Sequence, residues 1–237
     1  MIYGFIHTYT VNNWKGILEE QLNEIVRSGL YDKAEKIFIG VNGDSLLSLH
    51  WLVKEYKKFE VLYQFSKPEL EQSLTLSFLH MFAKGRRNTK VFYIHSKGVS
   101  HIDSKPQTDW RKLMEYYTIT RYEACLHELK RADVVGTNWH LGEGWMGATS
   151  KQCGGIPVTP HFSGNFWWAN SEYLERLPSL FPLVNKYQCE FWIGKNNPCA
   201  AELWRTGLHH HRKTYPKENY EGKKDVQYYR GADIIIH

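Results

Sequence analysis

The stretch Val91-Phe92-Tyr93-Ile94-His95-Ser96-Lys97-Gly98 decides the fold class. A short apolar run that stops at a polar, glycine-ended tip reads as a buried strand. Such a strand delivers His95, Ser96 and Lys97 to its carboxyl end, where α/β proteins build ligand sites. The tip carries no acidic residue.

Upstream, strand and helix signals alternate. Ile2 to Tyr9, rich in β-branched and aromatic residues, predicts a strand. Asn12 or Asn13 can cap a helix from Trp14 to about Ser28 with Ile17, Leu18, Leu22, Ile25 and Val26 on one face, and Gly29 ends it. Lys36 to Val41 predicts a second strand, closed by Asn42-Gly43-Asp44, and a helix follows through Trp51 to Tyr56. Phe59 to Phe65 predicts a third strand. Pro68 and Glu69 open a helix running to about Ala83, with Leu70, Leu74, Ser77, Phe78 and Met81 as its apolar stripe. Strands separated by helices of this length form parallel βαβ units in one sheet. The strand ends His7-Thr8, Asn42-Gly43 and His95-Ser96-Lys97 then mark the nucleotide end.

Downstream the pattern changes. Asp109 to Arg131 predicts a long helix containing Trp110, Arg111, Met114, Tyr117, Ile119 and Leu126, and Asp133 to Gly136 a short strand. Leu141 to Pro160, with five glycines, reads as a mobile loop. A compact segment, Phe162 to Ala169, precedes a helix that stops near Pro178. No repeat, low-complexity stretch or linker divides the chain, so one domain spans residues 1–237.

Composition narrows the class. Hydrophobic content of 42% and charged content of 23% are those of an ordinary globular domain. Aromatic content of 15% is high; such residues fill cores and also stack on sugars and bases. No apolar run approaches the ~18 residues of a membrane span, and Met1 leads straight into a strand without a basic or cleavable leader, so the chain reads as cytoplasmic. Cys125, Cys153, Cys189 and Cys199 form no CxxC pair. The net charge of +5 concentrates near the end: Arg205 to Arg230 holds seven Lys/Arg against three acids, and includes His209, His210 and His211. That segment reads either as a solvated tail or as a phosphate-facing one; contact with a membrane surface or nucleic acid is a further alternative. GxGxxG after the first strand, GxxxxGK[ST] and GxSxG are all absent, which excludes the dinucleotide fingerprint, the P-loop and the nucleophile elbow.

The order of these elements, the His95/Lys97 tip followed by Trp110-Arg111, the segment Phe162-Ser163-Gly164-Asn165-Phe166-Trp167-Trp168-Ala169, then Tyr173-Leu174-Glu175-Arg176-Leu177-Pro178 and Glu190-Phe191-Trp192-Ile193-Gly194, resembles the GT-A class of nucleotide-sugar glycosyltransferases. It is most similar to bacterial and viral surface-polysaccharide enzymes of the rhamnan-synthesis type. The resemblance implies a Rossmann-like α/β domain with a mostly parallel central sheet flanked by helices. Residues 1–100 would bind the nucleotide sugar, 101–204 would hold the acceptor and catalytic groups, and 205–237 would form a basic C-terminal segment. The implied activity is transfer of a sugar from a nucleoside-diphosphate donor to a glycan or glycolipid hydroxyl, by inversion where a carboxylate base serves the acceptor and by retention where none is needed, with the family's usual divalent cation put in question by the missing DxD. The alternatives are a modified DNA base as acceptor, or a non-catalytic carbohydrate- or nucleotide-binding module.

On this resemblance His7, Thr8, Asn42, Gly43, His95, Ser96, Lys97, Arg111, His209, His211 and Arg212 face the donor, although Asn42-Gly43 also reads as a simple turn. The DxD that holds Mn²⁺ or Mg²⁺ has no counterpart at residues 95–97, so Lys97, with Arg111 and the basic tail, is expected to stabilise the leaving diphosphate. A divalent cation on His95, His101 and Asp103 is the alternative. Ser163, Gly164, Asn165 and one of the adjacent tryptophans, Trp167, are expected on the acceptor side, the other tryptophan pointing the opposite way into the core. Glu190, read as opening a helix ahead of Phe191-Trp192-Ile193, is the expected base for the acceptor hydroxyl, with Asp109 and Glu143 as substitutes.

Overall fold

The protein's structure is a computed structural model that describes residues 1–43, 55–101 and 103–235. Its first half contains β1 (Ile2–Tyr9), α1 (Trp14–Arg27), a short α2 (Leu30–Lys33), β2 (Lys36–Asn42), β3 (Phe59–Phe65), α3 (Ser73–Ala83) and β4 (Lys90–His95). β1 lies parallel to both β2 and β4, and β2 is parallel to β3. The register sets His7 beside His95 and Tyr9 beside Asn42, so the polar strand ends share one rim of the sheet. The helix expected through Trp51 to Tyr56 falls mostly outside the described residues.

The second half comprises α4 (Lys105–Glu115), a π-helical turn (Tyr116–Thr120), α5 (Tyr122–Glu128), β5 (Val134–Gly136), β6 (Trp139–His140), β7 (His161–Phe162), β8 (Trp167–Asn170), α6 (Ser171–Glu175), α7 (Tyr187–Phe191), β9 (Cys199–Glu202), β10 (Gln227–Arg230) and β11 (Asp233–Ile235). Among the described residues nine strands form one sheet in the order β11-β10-β9-β5-β8-β4-β1-β2-β3. The mostly parallel sheet expected from the sequence is therefore half right. β8 runs antiparallel to both β4 and β5, and β9, β10 and β11 add two further antiparallel pairs, leaving only β5–β9 parallel in this half. Among the described residues only β10 and β11 are joined by a tight hairpin, whereas β8 reaches its place between β4 and β5 after the glycine-rich segment.

Both faces of the sheet are covered, and the pleat divides the core between them. Ile6, Phe92, Ile94, Val135 and Trp168 pack under α1, α4, the π turn and α5. Phe5, Val91, Tyr93, Val134 and Trp167 pack under α3, α6 and the segment around Trp192. The adjacent tryptophans do face opposite ways, but both are fully buried.

Three helices depart from the sequence expectation. The one expected from Asp109 begins at Lys105, because Pro106 in the first turn gives up an N–H that has no helical partner there. It is also broken by the π turn, in which the Arg121 N–H reaches back to the Tyr116 carbonyl. The Trp168 indole N–H donates to the Thr118 carbonyl at 2.8 Å, so β8 is bonded to the backbone of this break. The helix expected from Pro68 begins at Ser73, after a 3-10 turn over Pro68–Leu70. Its buried face is Leu76, Leu79 and Ala83, while Phe78 and Met81 are exposed. Apolar residues nearly all round this helix make the inward stripe ambiguous by periodicity alone. Glu190, expected to open a helix, is instead the fourth residue of α7. The glycine-rich segment after β6 is laced by Glu143, whose carboxylate accepts the Ser150 and Val158 N–H groups.

Candidate functional site

The rim formed by β1 and β4 opens into a cavity of about 150 Å³ lined by His7, Tyr9, Glu71, Gln72, His95, Ser96, Lys97, His101, Gln107, Lys186 and Glu190, among others. Two buried histidines form its floor. His7 bonds through Nδ1 to Thr75 Oγ1 at 3.0 Å, and His95 donates from Nε2 to the Gly164 carbonyl at 2.9 Å. Each ring leaves its second nitrogen without a partner among the described residues. Burial pushes both imidazoles down to about 3, so both are neutral at physiological pH. The Ser96 hydroxyl accepts the Tyr9 N–H at 2.9 Å and closes the gap between the two strand ends.

Lys97 projects from the tip with its ammonium 4.0 Å from the centre of the Trp110 ring. Among the described residues it makes no hydrogen bond or ion pair. Burial lowers its pKa, as does nearby Lys186, while Glu190 opposes them. Trp110 is also stacked by His210 at 5.3 Å and met edge-on by His211 at 4.9 Å. His211 Nδ1 accepts from the Gln107 side chain at 3.0 Å. The histidine run of the C-terminal segment thus folds back against the strand tip.

Behind the loop at residues 97–101 lies a second cavity, of about 360 Å³, lined by Asn12, Asn13, Ile17, Lys97, Gly98, Val99, His101, Asp103, Thr108 and Arg111. The two cavities share Lys97, Gly98, Val99 and His101. Arg111 reaches this second cavity only, and its guanidinium is already tied to Glu115 at 3.1 Å and Glu20 at 3.2 Å.

His7, His95, Ser96, Lys97, His101 and Glu190 are therefore brought together, and other expected site residues are not. Thr8 is fully buried, on the opposite side of the strand from His7. Asn42 is a clamp: its side chain accepts the Lys67 N–H and donates to the Lys67 and Glu71 carbonyls. Gly43 is buried at φ 126°, which fits the turn reading. Asn165 is sequestered between Gln72, the Cys189 carbonyl and the Trp167 indole, so neither Asn165 nor Trp167 offers a surface to a sugar. Gly164, at φ 89°, lets the chain pass where a Cβ would collide with Met114, and it supplies the carbonyl that orients His95. Ser163 is half-buried and lines neither cavity. Asp109 accepts from Lys105 and from the Tyr215 N–H, and Glu143 is committed to its loop, so neither substitute base is free. His209 and Arg212 are exposed.

The basic segment is less open than its composition suggests. Arg205 pairs with Glu202, Lys217 with Glu221 and Lys224 with Glu128. The residues that the sequence did not single out are Glu71, Gln72, Gln107 and Lys186. They come from loops and helix starts without a periodic signal, and only the meeting of α3, α4 and α7 around the strand tip places them together. The three residues weighed for a divalent cation are split between the cavities, with His101 lining both. Asp103 lines the second cavity and His95 the first, and among the described residues no group of three or more His, Cys, Asp or Glu side chains is placed to hold a metal.

Fold and site together define an α/β protein with a charged, polar cavity at the carboxyl ends of its parallel strands. The model of a family described as a domain of unknown function, DUF8361, matches residues 5–190, and the chain belongs to that family. No curated protein matches it. Among solved structures, the crystal structure of S. aureus TarS 1–349 is similar at a TM-score of 0.35 and 13% identity, over 81% of this chain and 54% of that one. The chain thus spans about half the length of that structure, and a likeness of this extent carries no argument about function.

Proposed function

We propose that this chain is a glycosyltransferase that moves a sugar from a nucleoside-diphosphate donor to a hydroxyl acceptor. The observation that carries the reading is the Lys97 ammonium, half-buried at the strand tip between two cavities and paired with no carboxylate among the described residues. The protein pairs its other buried charges, as in Arg111–Glu115, Glu202–Arg205 and Glu128–Lys224. A desolvated cation without a partner favours an anionic ligand. Volume supports the assignment of parts. About 150 Å³ is well below the ~300–1,000 Å³ of a pocket for a drug-sized ligand, so the first cavity suits one sugar ring. The second, at about 360 Å³, suits the nucleoside, and the diphosphate then crosses the shared loop over Lys97.

In this reading Lys97 stabilises the charge developing on the leaving diphosphate, with His211 beside it. Glu190, whose carboxylate makes no hydrogen bond or ion pair among the described residues, takes the proton of the acceptor hydroxyl as the new glycosidic bond forms and the bond to the diphosphate breaks. The acceptor is proposed to be a glycan or glycolipid. The test is turnover of a panel of UDP-, GDP- and TDP-sugars, with and without EDTA. Transfer or slow hydrolysis that survives EDTA is expected. Nucleotide binding without any turnover would replace the enzyme with a binding module, and EDTA-sensitive turnover would sink the Lys97 assignment.

A further inference from the structure

The lining of the first cavity carries a second carboxylate, Glu71, and its placement is built. Its backbone sits at φ 45°, a left-handed conformation unusual for a residue with a side chain. The flanking chain is fixed on both sides. Asn42 donates to the Glu71 carbonyl at 3.3 Å and to the Lys67 carbonyl at 2.9 Å, while the Gln72 side chain accepts from the Tyr93 hydroxyl at 2.8 Å and from Asn165 at 2.9 Å. Buried groups thus hold a turn whose one outward product is the Glu71 side chain, which makes no hydrogen bond or ion pair among the described residues. Loss of surrounding water and the neighbouring Glu190 raise its pKa, against the pull of Lys186.

The same cavity holds an independent sign of a ligand. His7 is 3% exposed and lines the wall, yet one of its ring nitrogens has no partner. His95, 9% exposed, likewise leaves Nδ1 open as an acceptor, since Nε2–H is spent on the Gly164 carbonyl. The wall therefore offers the carboxylates of Glu71 and Glu190 and an imidazole lone pair. These accept hydrogen bonds from the hydroxyls of a neutral polyol, while Lys97 and Lys186 on the same lining are left to face the anion.

We propose that Glu71 is a substrate-contacting residue that accepts hydrogen bonds from the hydroxyls of the transferred sugar and holds that sugar in the cavity it shares with Lys97. This rests on the glycosyltransferase reading and adds to it a determinant of sugar recognition. Calorimetric titration of the full chain with UDP, GDP and TDP, and with UDP-glucose, GDP-mannose and TDP-rhamnose, tests it. Glu71→Gln and Glu71→Ala are expected to bind the nucleoside diphosphate as the wild type does, and its sugar ester about tenfold more weakly or worse. Unchanged affinity for the ester overturns the proposal. Equal losses for ester and nucleoside diphosphate overturn it too, because Glu71 would then be shaping the turn and not meeting the sugar. Failure of the wild type to bind any of these nucleotides removes the glycosyltransferase reading, and the role of Glu71 with it.

Discussion

At the scale of single residues, charge left unpaired is what distinguishes this rim. Lys97 keeps its ammonium charge below its folded pKa and loses it as pH rises through that value. Burial and Lys186 bring that value below the ordinary lysine range near 10.4. Binding of UDP should therefore weaken on the alkaline side sooner than an ordinary lysine would dictate. Lys97→Met should bind at least about tenfold more weakly at pH 7. Calorimetry from pH 7 to 10 checks both, since the ratio of wild-type to variant affinity should shrink as pH rises, and a constant ratio would remove Lys97 from the anion site. Glu71 invites the opposite kind of test. Its φ of 45° is a strain that glycine would not feel, so Glu71→Gly should stabilise the fold by about 0.5–1 kcal/mol in urea unfolding while abolishing discrimination between sugar ester and nucleoside diphosphate. A destabilised variant would mean that the Glu71 side chain itself supports the fold there.

At the scale of elements, the parallel half was legible because period and punctuation agreed. β1, α1, β2, β3 and β4 fall where the alternating runs and caps put them, and the His95-Ser96-Lys97 tip follows from that. Legibility failed where a residue's partner is distant in sequence. Asn42 reads equally as a turn residue and a ligand contact, and only its three bonds to Lys67 and Glu71 decide for the clamp. Trp167 reads as a sugar platform until β8 is seen inserted antiparallel between β4 and β5, with covered faces on both sides. Glu71 carries no signal at all, because its role depends on a turn that two other strands hold. The clamp has a measurable worth. Asn42→Ala should cost about 2–3 kcal/mol in urea unfolding, since it removes three hydrogen bonds and leaves backbone groups of the Lys67–Glu71 turn short of partners. A loss below about 0.5 kcal/mol would show the turn to be held by Gln72 alone.

At the scale of the whole molecule, the neutral histidines set the response to acid. Burial lowers His7 and His95 to about 3, and His140, His161 and His210 to about 4, with neighbouring imidazole or lysine charge helping in all but His7 and His161. In the unfolded chain each returns to about 6.5. As pH falls from 7 toward 4.5 the unfolded state therefore protonates all five imidazoles while the folded state keeps most of them neutral, and stability must drop across that window. Glu71, Glu115 and Glu202 act in the other direction, because burial raises their folded pKa values and lets the folded state take up protons first. They supply at most three protons against five, and each net proton costs about 1.4 kcal/mol per pH unit. Glu128, Glu172 and Glu175, whose folded pKa values are lowered, add their loss only at still lower pH. Urea-unfolding free energies measured at half-unit steps should thus decline steadily from pH 6.5 to 4.5, before the ordinary carboxylate range is reached. A flat profile down to pH 4.5 would mean that the histidines under the strand rim are hydrated enough to protonate in place. The neutral, acceptor-bearing floor on which the sugar site depends would then be lost as well.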